Sequence, residues 1–198
     1  MQSLNKLENI GFYTLSDSRA QNISDKSLLK RCEMILTDKC NFKCPYCRGP
    51  QTGLENDIDL SVAMQTLSIW INNKLENIRF SGGEPTLFPF LDLLIKKSKK
   101  GNIKNIAVST NGSASLEYYK YLTICGVNDF SISLDACCPS IGKLMCGNIE
   151  GVWEKVVRNI EALSKITYVT VGIVFTKETK DTVVETIKFA SSLGVADI

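Results

Sequence analysis

At 198 residues, 44% hydrophobic and 22% charged, the chain has enough apolar mass for one domain with a substantial core and the composition of an ordinary soluble globular protein. A formal charge of +2, no basic stretch interleaved with aromatics and no run of membrane-spanning length leave neither nucleic acid nor membrane as an expected partner. The absence of histidine excludes histidine-based triads, zinc sites and general bases, so any chemistry must rest on thiols, carboxylates, hydroxyls, amines or a bound cofactor.

The start, Met1 to Ile10, lacks the basic-then-apolar pattern of a signal peptide, and a cytoplasmic location is expected. Under reducing conditions the eight cysteines then point to metal binding or catalysis rather than disulfides. Residues 1–30 are polar and weakly patterned and read as an N-terminal extension; residues 31–198 read as the domain proper. Strand-like β-branched runs follow at Met34 to Thr37, Asn77 to Ser81, Asn105 to Thr110, Asp129 to Leu134 and Tyr168 to Phe175. Between them lie segments with helical spacing, such as Val152, Val156, Ile160 and Leu163, or Val183, Ile187 and Ala190, with Gly101, Gly126 and Gly194 where helices would stop. This alternation predicts an α/β fold, a parallel sheet covered by helices through right-handed crossovers, with the loops after the strands gathered on one ligand-binding rim. A last helix at about Asp181 to Leu193 precedes Val195 to Ile198, which read as the beginning of a sixth strand. The sheet is therefore expected to be open, or the chain to be part of a longer protein.

The distinctive residues fall on that rim. After the first strand, Cys40-Asn41-Phe42-Lys43-Cys44-Pro45-Tyr46-Cys47 places three soft thiolate ligands on one loop, suited to an iron-sulfur cluster or zinc. A set one ligand short leaves a position for water, substrate or cofactor. The spacing alone also suits a zinc knuckle with a distant fourth ligand, or unrelated cysteines in a turn. Ser81-Gly82-Gly83-Glu84-Pro85 follows the second strand, Ser109-Thr110-Asn111-Gly112 the third, and Ser133-Leu134-Asp135-Ala136 closes the fourth.

In this order and position, CNFKCPYC, SGGEP, STNG and SLDA resemble the radical S-adenosylmethionine (SAM) family, from about Arg31 to Ile198. The resemblance implies a partial TIM barrel of (βα) repeats. It implies that Cys40, Cys44 and Cys47 bind three irons of a [4Fe-4S] cluster while SAM chelates the fourth. One electron from a donor such as flavodoxin or ferredoxin would then yield a 5'-deoxyadenosyl radical that takes hydrogen from a substrate, small molecule or peptide. Gly82 and Gly83 would let backbone approach the methionine moiety, with Glu84 accepting from its ammonium. Thr110, Asn111, Ser133 and Asp135 would meet the ribose or the methionine carboxylate, although Asp135 equally suits a turn cap. Tyr46 would contact the adenine, and Phe42 reads as core.

Of the other cysteines, Cys32 and Cys125 read as small buried hydrophobes. Cys137, Cys138 and Cys146 lie near the rim, where the plain structural reading stands ahead of a second cluster or a hydrogen-donating thiol. Lys96, Lys97, Lys99 and Lys100 end a helix and complement its dipole; receiving an acidic electron donor is the weaker reading. Within the family the wording is similar to the GTP 3',8-cyclases, through the cysteine loop and Arg79. Glu33 and Thr170 stand where that group has an arginine and a lysine, which weakens the case for a triphosphate and leaves the substrate open. The reading from another class is a non-catalytic iron-sulfur or zinc module.

Overall fold

The structure, a computed structural model, describes residues 27–47, 49, 53 and 55–198. The β-branched runs form five strands, β1 (Arg31–Ile35), β2 (Asn77–Ser81), β3 (Asn105–Thr110), β4 (Asp129–Ser133) and β5 (Tyr168–Gly172), in one parallel sheet ordered as in the chain. The helices are α1 (Leu60–Asn72), α2 (Leu91–Lys100), α3 (Leu116–Cys125), α4 (Pro139–Met145), α5 (Val152–Ser164) and α6 (Val183–Ser192). Asp59 caps α1 by accepting from the Ser61 and Val62 amides, Ser115 caps α3, and Gly101 and Gly126 end α2 and α3.

Successive side chains on a strand point to opposite faces, and this sheet uses the two faces differently. Phe80, Val108, Phe130, Ile132, Val169 and Val171 are fully buried in one core with Leu67, Leu91, Leu94, Leu122, Ile160 and Leu163 of the helices. Each such burial stabilises the fold by roughly 1.5–3 kcal/mol. The other face is polar. Its strand register aligns Glu33 with Arg79, Arg79 with Ala107, and Ala107 with Asp129 in one row.

The boundaries depart from the sequence pattern where rim contacts win. β1 occupies Arg31–Ile35 rather than Met34 to Thr37, because Thr37 turns aside to bridge Asp57, whose carboxylate accepts from the Thr37 hydroxyl at 2.6 Å. β5 stops at Gly172, short of Phe175, because the Val174 amide donates to Asp135 Oδ1 at 2.7 Å. Helix α4 starts at Pro139, in the favoured first-turn position. On α6 the buried side chains are Thr186 and Ala190, whereas Ile187, expected on the core face, is 42% exposed. The sixth strand begins as expected, with Asp197 bridging Thr170 in parallel. Most of the proposed N-terminal extension, residues 1–26, lies outside the described residues. Among those described, no helix is long and apolar enough to cross a membrane.

Candidate cluster and cofactor site

The cysteine loop is built onto the end of β2 by backbone contacts. Gly83 N donates to Thr37 O at 2.7 Å and Glu84 N to Lys39 O at 2.8 Å. A Cβ on Gly82 would lie 2.4 Å from Thr37 O, and one on Gly83 2.3 Å from Lys39 O, so two chains approach here as only glycine allows. The glycine pair was expected to make room for a ligand; the structure shows that it first makes room for the loop. Asp57 braces the same base, accepting from Lys39 Nζ at 2.7 Å as well as from Thr37. Phe42 is buried in the core as expected, and Lys43 N donates to Cys146 O at 3.4 Å.

These anchors place Cys40, Cys44 and Cys47 around a cavity of about 250 Å³ at the carboxyl ends of the strands. At roughly 30 Å³ per water, that is room for a group larger than one hydrated ion. Every residue expected from the sequence to hold the cluster or contact SAM lines it except Glu84. Burial, followed by the negative charge of Asp135, Cys40 and Cys47, pushes the Cys44 thiol up to about 12; burial also raises Cys40. Cys40 and Cys44 are therefore costly to ionise without metal charge to offset it. Among the described residues, no three His, Cys, Asp or Glu side chains gather closely enough to hold a single metal ion. A cubane seats each thiolate on a different iron, so three soft donors spread around one hollow fit it.

Glu84 is fully buried and knits β2 to β3. Its Oε1 accepts from Thr86 N at 3.0 Å, Thr86 Oγ1 at 2.6 Å and Thr110 Oγ1 at 2.7 Å, while Oε2 accepts from Asn111 N at 2.7 Å. Burial raises its pKa and these donors oppose the rise. The Thr110 hydroxyl is further engaged with Tyr119 OH at 2.9 Å. Tyr46 and Asp135, expected to meet different parts of a ligand, are joined to each other: the phenol donates to Asp135 Oδ2, linking the cysteine loop to the ends of β4 and β5. Burial raises the Asp135 pKa against the two bonds it accepts. Ser133 lies exposed at the end of β4.

The back wall comes from α4 and α5, through Met145, Cys146, Trp153 and Val156. Trp153 Nε1 donates to Ala136 O at 3.1 Å and its ring stacks on Phe189, centroids 5.5 Å apart. A Cβ on Gly142 would fall 1.9 Å from Trp153, so the helix meets the indole only through glycine. Sequence reasoning gave no role to Asn41, although it lies inside the cysteine motif, nor to Trp153 and Ser113, which lie outside the motifs; the tryptophan beside the apolar stripe of α5 was the available signal. Cys146 borders the cavity with its thiol 3.3 Å from Lys143 O, whereas Cys137 and Cys138 do not line it. Cys125 is buried and Cys32 partly so, packed on the core as expected. The lysines of α2 stand at the opposite end of the sheet, where the chain enters β3; Lys96 is held by Asp92 at 2.8 Å and Tyr121 OH at 2.7 Å.

Residues 34–190 match the radical SAM superfamily. The chain belongs to that superfamily. It is 32% identical over 176 residues to the probable GTP 3',8-cyclase of Sulfolobus acidocaldarius, covering 86% of this chain and 55% of that protein. To the mitochondrial GTP 3',8-cyclase of Arabidopsis thaliana it is 30% identical over 111 residues, covering 53% of this chain and 28% of that one. The chain thus spans about half the length, or less, of these curated relatives. In fold it is similar to Streptococcus suis SuiB bound to S-adenosylmethionine (TM-score 0.69, 16% identity, 85% of this chain and 38% of that one). It is also similar to anSMEcpe with bound AdoMet and Cp18Cys peptide (TM-score 0.67, 23% identity, 82% and 47%). The fold is the partial barrel of radical SAM enzymes, as expected from the sequence.

Proposed function

We propose that this chain is a radical SAM enzyme core in which Cys40, Cys44 and Cys47 hold a [4Fe-4S] cluster beside a SAM site on the rim. The observation that carries this is the convergence of three thiols of one loop with the ends of β2, β3 and β4 on a single cavity. When bound, cluster and SAM supply reductive cleavage of a sulfonium and a 5'-deoxyadenosyl radical that abstracts hydrogen from the substrate. The chain's own residues bind, orient and shield. The backbone of Gly82 and Gly83 faces the ligand, Thr110 is held in place by Glu84, and Trp153 and Val156 offer an apolar wall to the adenosine. Tyr46 and Asp135 close the cavity between the loop and β4, with Ser133 open to hydrogen bonding at its edge. Glu84 acts on the ligand through the β3 end it positions rather than by direct contact. Because the lysines of α2 lie at the far end, a flavodoxin- or ferredoxin-class electron donor docks nearer the cysteine loop.

Anaerobic reconstitution tests the reading. The expected result is about four irons per chain and reductant-dependent release of methionine and 5'-deoxyadenosine, both lost in Cys44→Ala. A colourless protein with one zinc and no SAM cleavage would sink it.

A second, narrower reading, action on GTP, is favoured by the names of the curated relatives. Against it stands Glu33, exposed on the polar face as register partner of Arg79. A carboxylate there offsets the guanidinium that would meet a triphosphate. Formation of a cyclised nucleotide from GTP and SAM would decide in its favour; the same assay with peptides and other small molecules would locate a different substrate.

A further inference from the structure

The side-chain amide of Asn111 has two hydrogens and an oxygen, and the protein engages all three. Its Oδ1 accepts from the backbone amide of Ser113 at 3.0 Å. A backbone N–H can only donate, so this bond fixes which end of the amide is oxygen. The Nδ2 end is thereby turned toward the cysteine loop, 2.8 Å from Asn41 Oδ1 and 3.9 Å from Cys40 Sγ, within reach of a weak N–H···S bond. Asn41 is held in turn, its Nδ2 donating to Ser113 Oγ at 2.8 Å. The Asn111 backbone N–H is committed to Glu84 Oε2 at 2.7 Å. Both side-chain N–H donors are thus turned to the cysteine loop and none is left for a carboxylate, while Oδ1 keeps a second lone pair.

Cys40 is the other half of the argument. Besides Asn111 Nδ2, the amide of Phe42 points at the same sulfur, at 3.4 Å. N–H dipoles on a thiolate draw off electron density and stabilise the more negative state of the metal centre it binds. We infer that Asn111 is a positioning residue that orients Cys40 and raises the reduction potential of the cluster, and that its amide hydrogens serve the cysteine loop rather than SAM. This inference rests on the cluster reading proposed above. It replaces the ligand contact expected for Asn111 from the sequence, and it gives the Asn41–Asn111–Ser113 ring a function: the ring ties the first cysteine to the end of β3.

The test compares reconstituted wild-type protein with Asn111→Ala by redox titration of the cluster's spectroscopic signal without SAM, and by equilibrium binding of SAM. The expected result is wild-type iron content, a lowered midpoint potential, and a SAM Kd within about twofold of wild type. If the alanine variant does not retain iron, Asn111→Asp is measured instead; it keeps the acceptor for Ser113, loses both donors, and is expected to lower the potential further. A SAM Kd weakened about tenfold or more with an unmoved potential makes Asn111 a ligand contact and overturns the inference. An unmoved potential with unmoved Kd overturns it too, reducing the ring to scaffolding. Failure of the cluster reading itself is distinguishable, because wild-type protein would then take up no cluster to titrate.

Discussion

Glu84 shows how much of the rim one buried side chain can organise. Its carboxylate has no exposed surface and takes every bond from the protein, two of them from Thr110 and Asn111 across the strand gap. Glu84→Gln keeps the volume but turns an NH₂ toward groups that all donate. One buried donor is then left unsatisfied, and we expect a loss of about 1–3 kcal/mol in denaturant unfolding. Asp129 is the second residue whose burial has a readable consequence. It is 4% exposed, and burial raises its pKa to about 6 against the opposing charges of Arg79 and Arg31. A carboxyl raised in the folded state contributes stability that is full below about pH 4 and is lost as pH rises through about 6, up to about 3 kcal/mol. Asp129→Asn should flatten the change in unfolding free energy between pH 4 and 7. An unchanged slope would mean that the acid is not perturbed in solution.

At the scale of elements, the cysteine loop depends on a backbone-to-backbone junction. Gly83→Ala would thrust a methyl into Lys39 O and Asp38 O, atoms that cannot rotate aside. The junction must open, at a cost on the order of 3 kcal/mol, and the loop loses the two hydrogen bonds that seat it. We expect a lower melting temperature together with poor iron retention on reconstitution, whereas Cys44→Ala loses iron with little thermal change. The wall made by α4 and α5 depends on a similar fit. Gly142→Ala would displace the Trp153 indole from Ala136 O, and a shift in tryptophan emission reports it; Trp70, the other tryptophan, is on α1.

Over the whole molecule, the sheet has one apolar face clothed by helices and one polar face on which Glu33, Arg79 and Asp129 share a row. The charges in that row oppose one another, so the face offers a polyanion little net attraction. Reversing Glu33 alters that balance without touching the core. Glu33→Arg is expected to tighten GTP binding about five- to tenfold, equivalent to roughly 1 kcal/mol, as measured by calorimetry. No change in affinity would place the nucleotide elsewhere or remove it from consideration.

The sequence by itself determined the parallel (βα) architecture, because β-branched runs alternating with helical periodicity permit few other foldings. It also determined which residues share the rim, since in a parallel sheet every strand points its carboxyl end the same way. Only the tertiary structure decided which partners those residues meet within the protein. Gly82 and Gly83 accommodate the backbone of Thr37 and Lys39, Glu84 is spent on β3, and Tyr46 and Asp135 bond each other. These are pairings between residues tens of positions apart, and no local spacing records them. The same holds for Ile187, placed on the core face by periodicity and left exposed by the way α6 meets its neighbours. Periodicity reports that a helix has an apolar side; which side is covered depends on the elements packed against it.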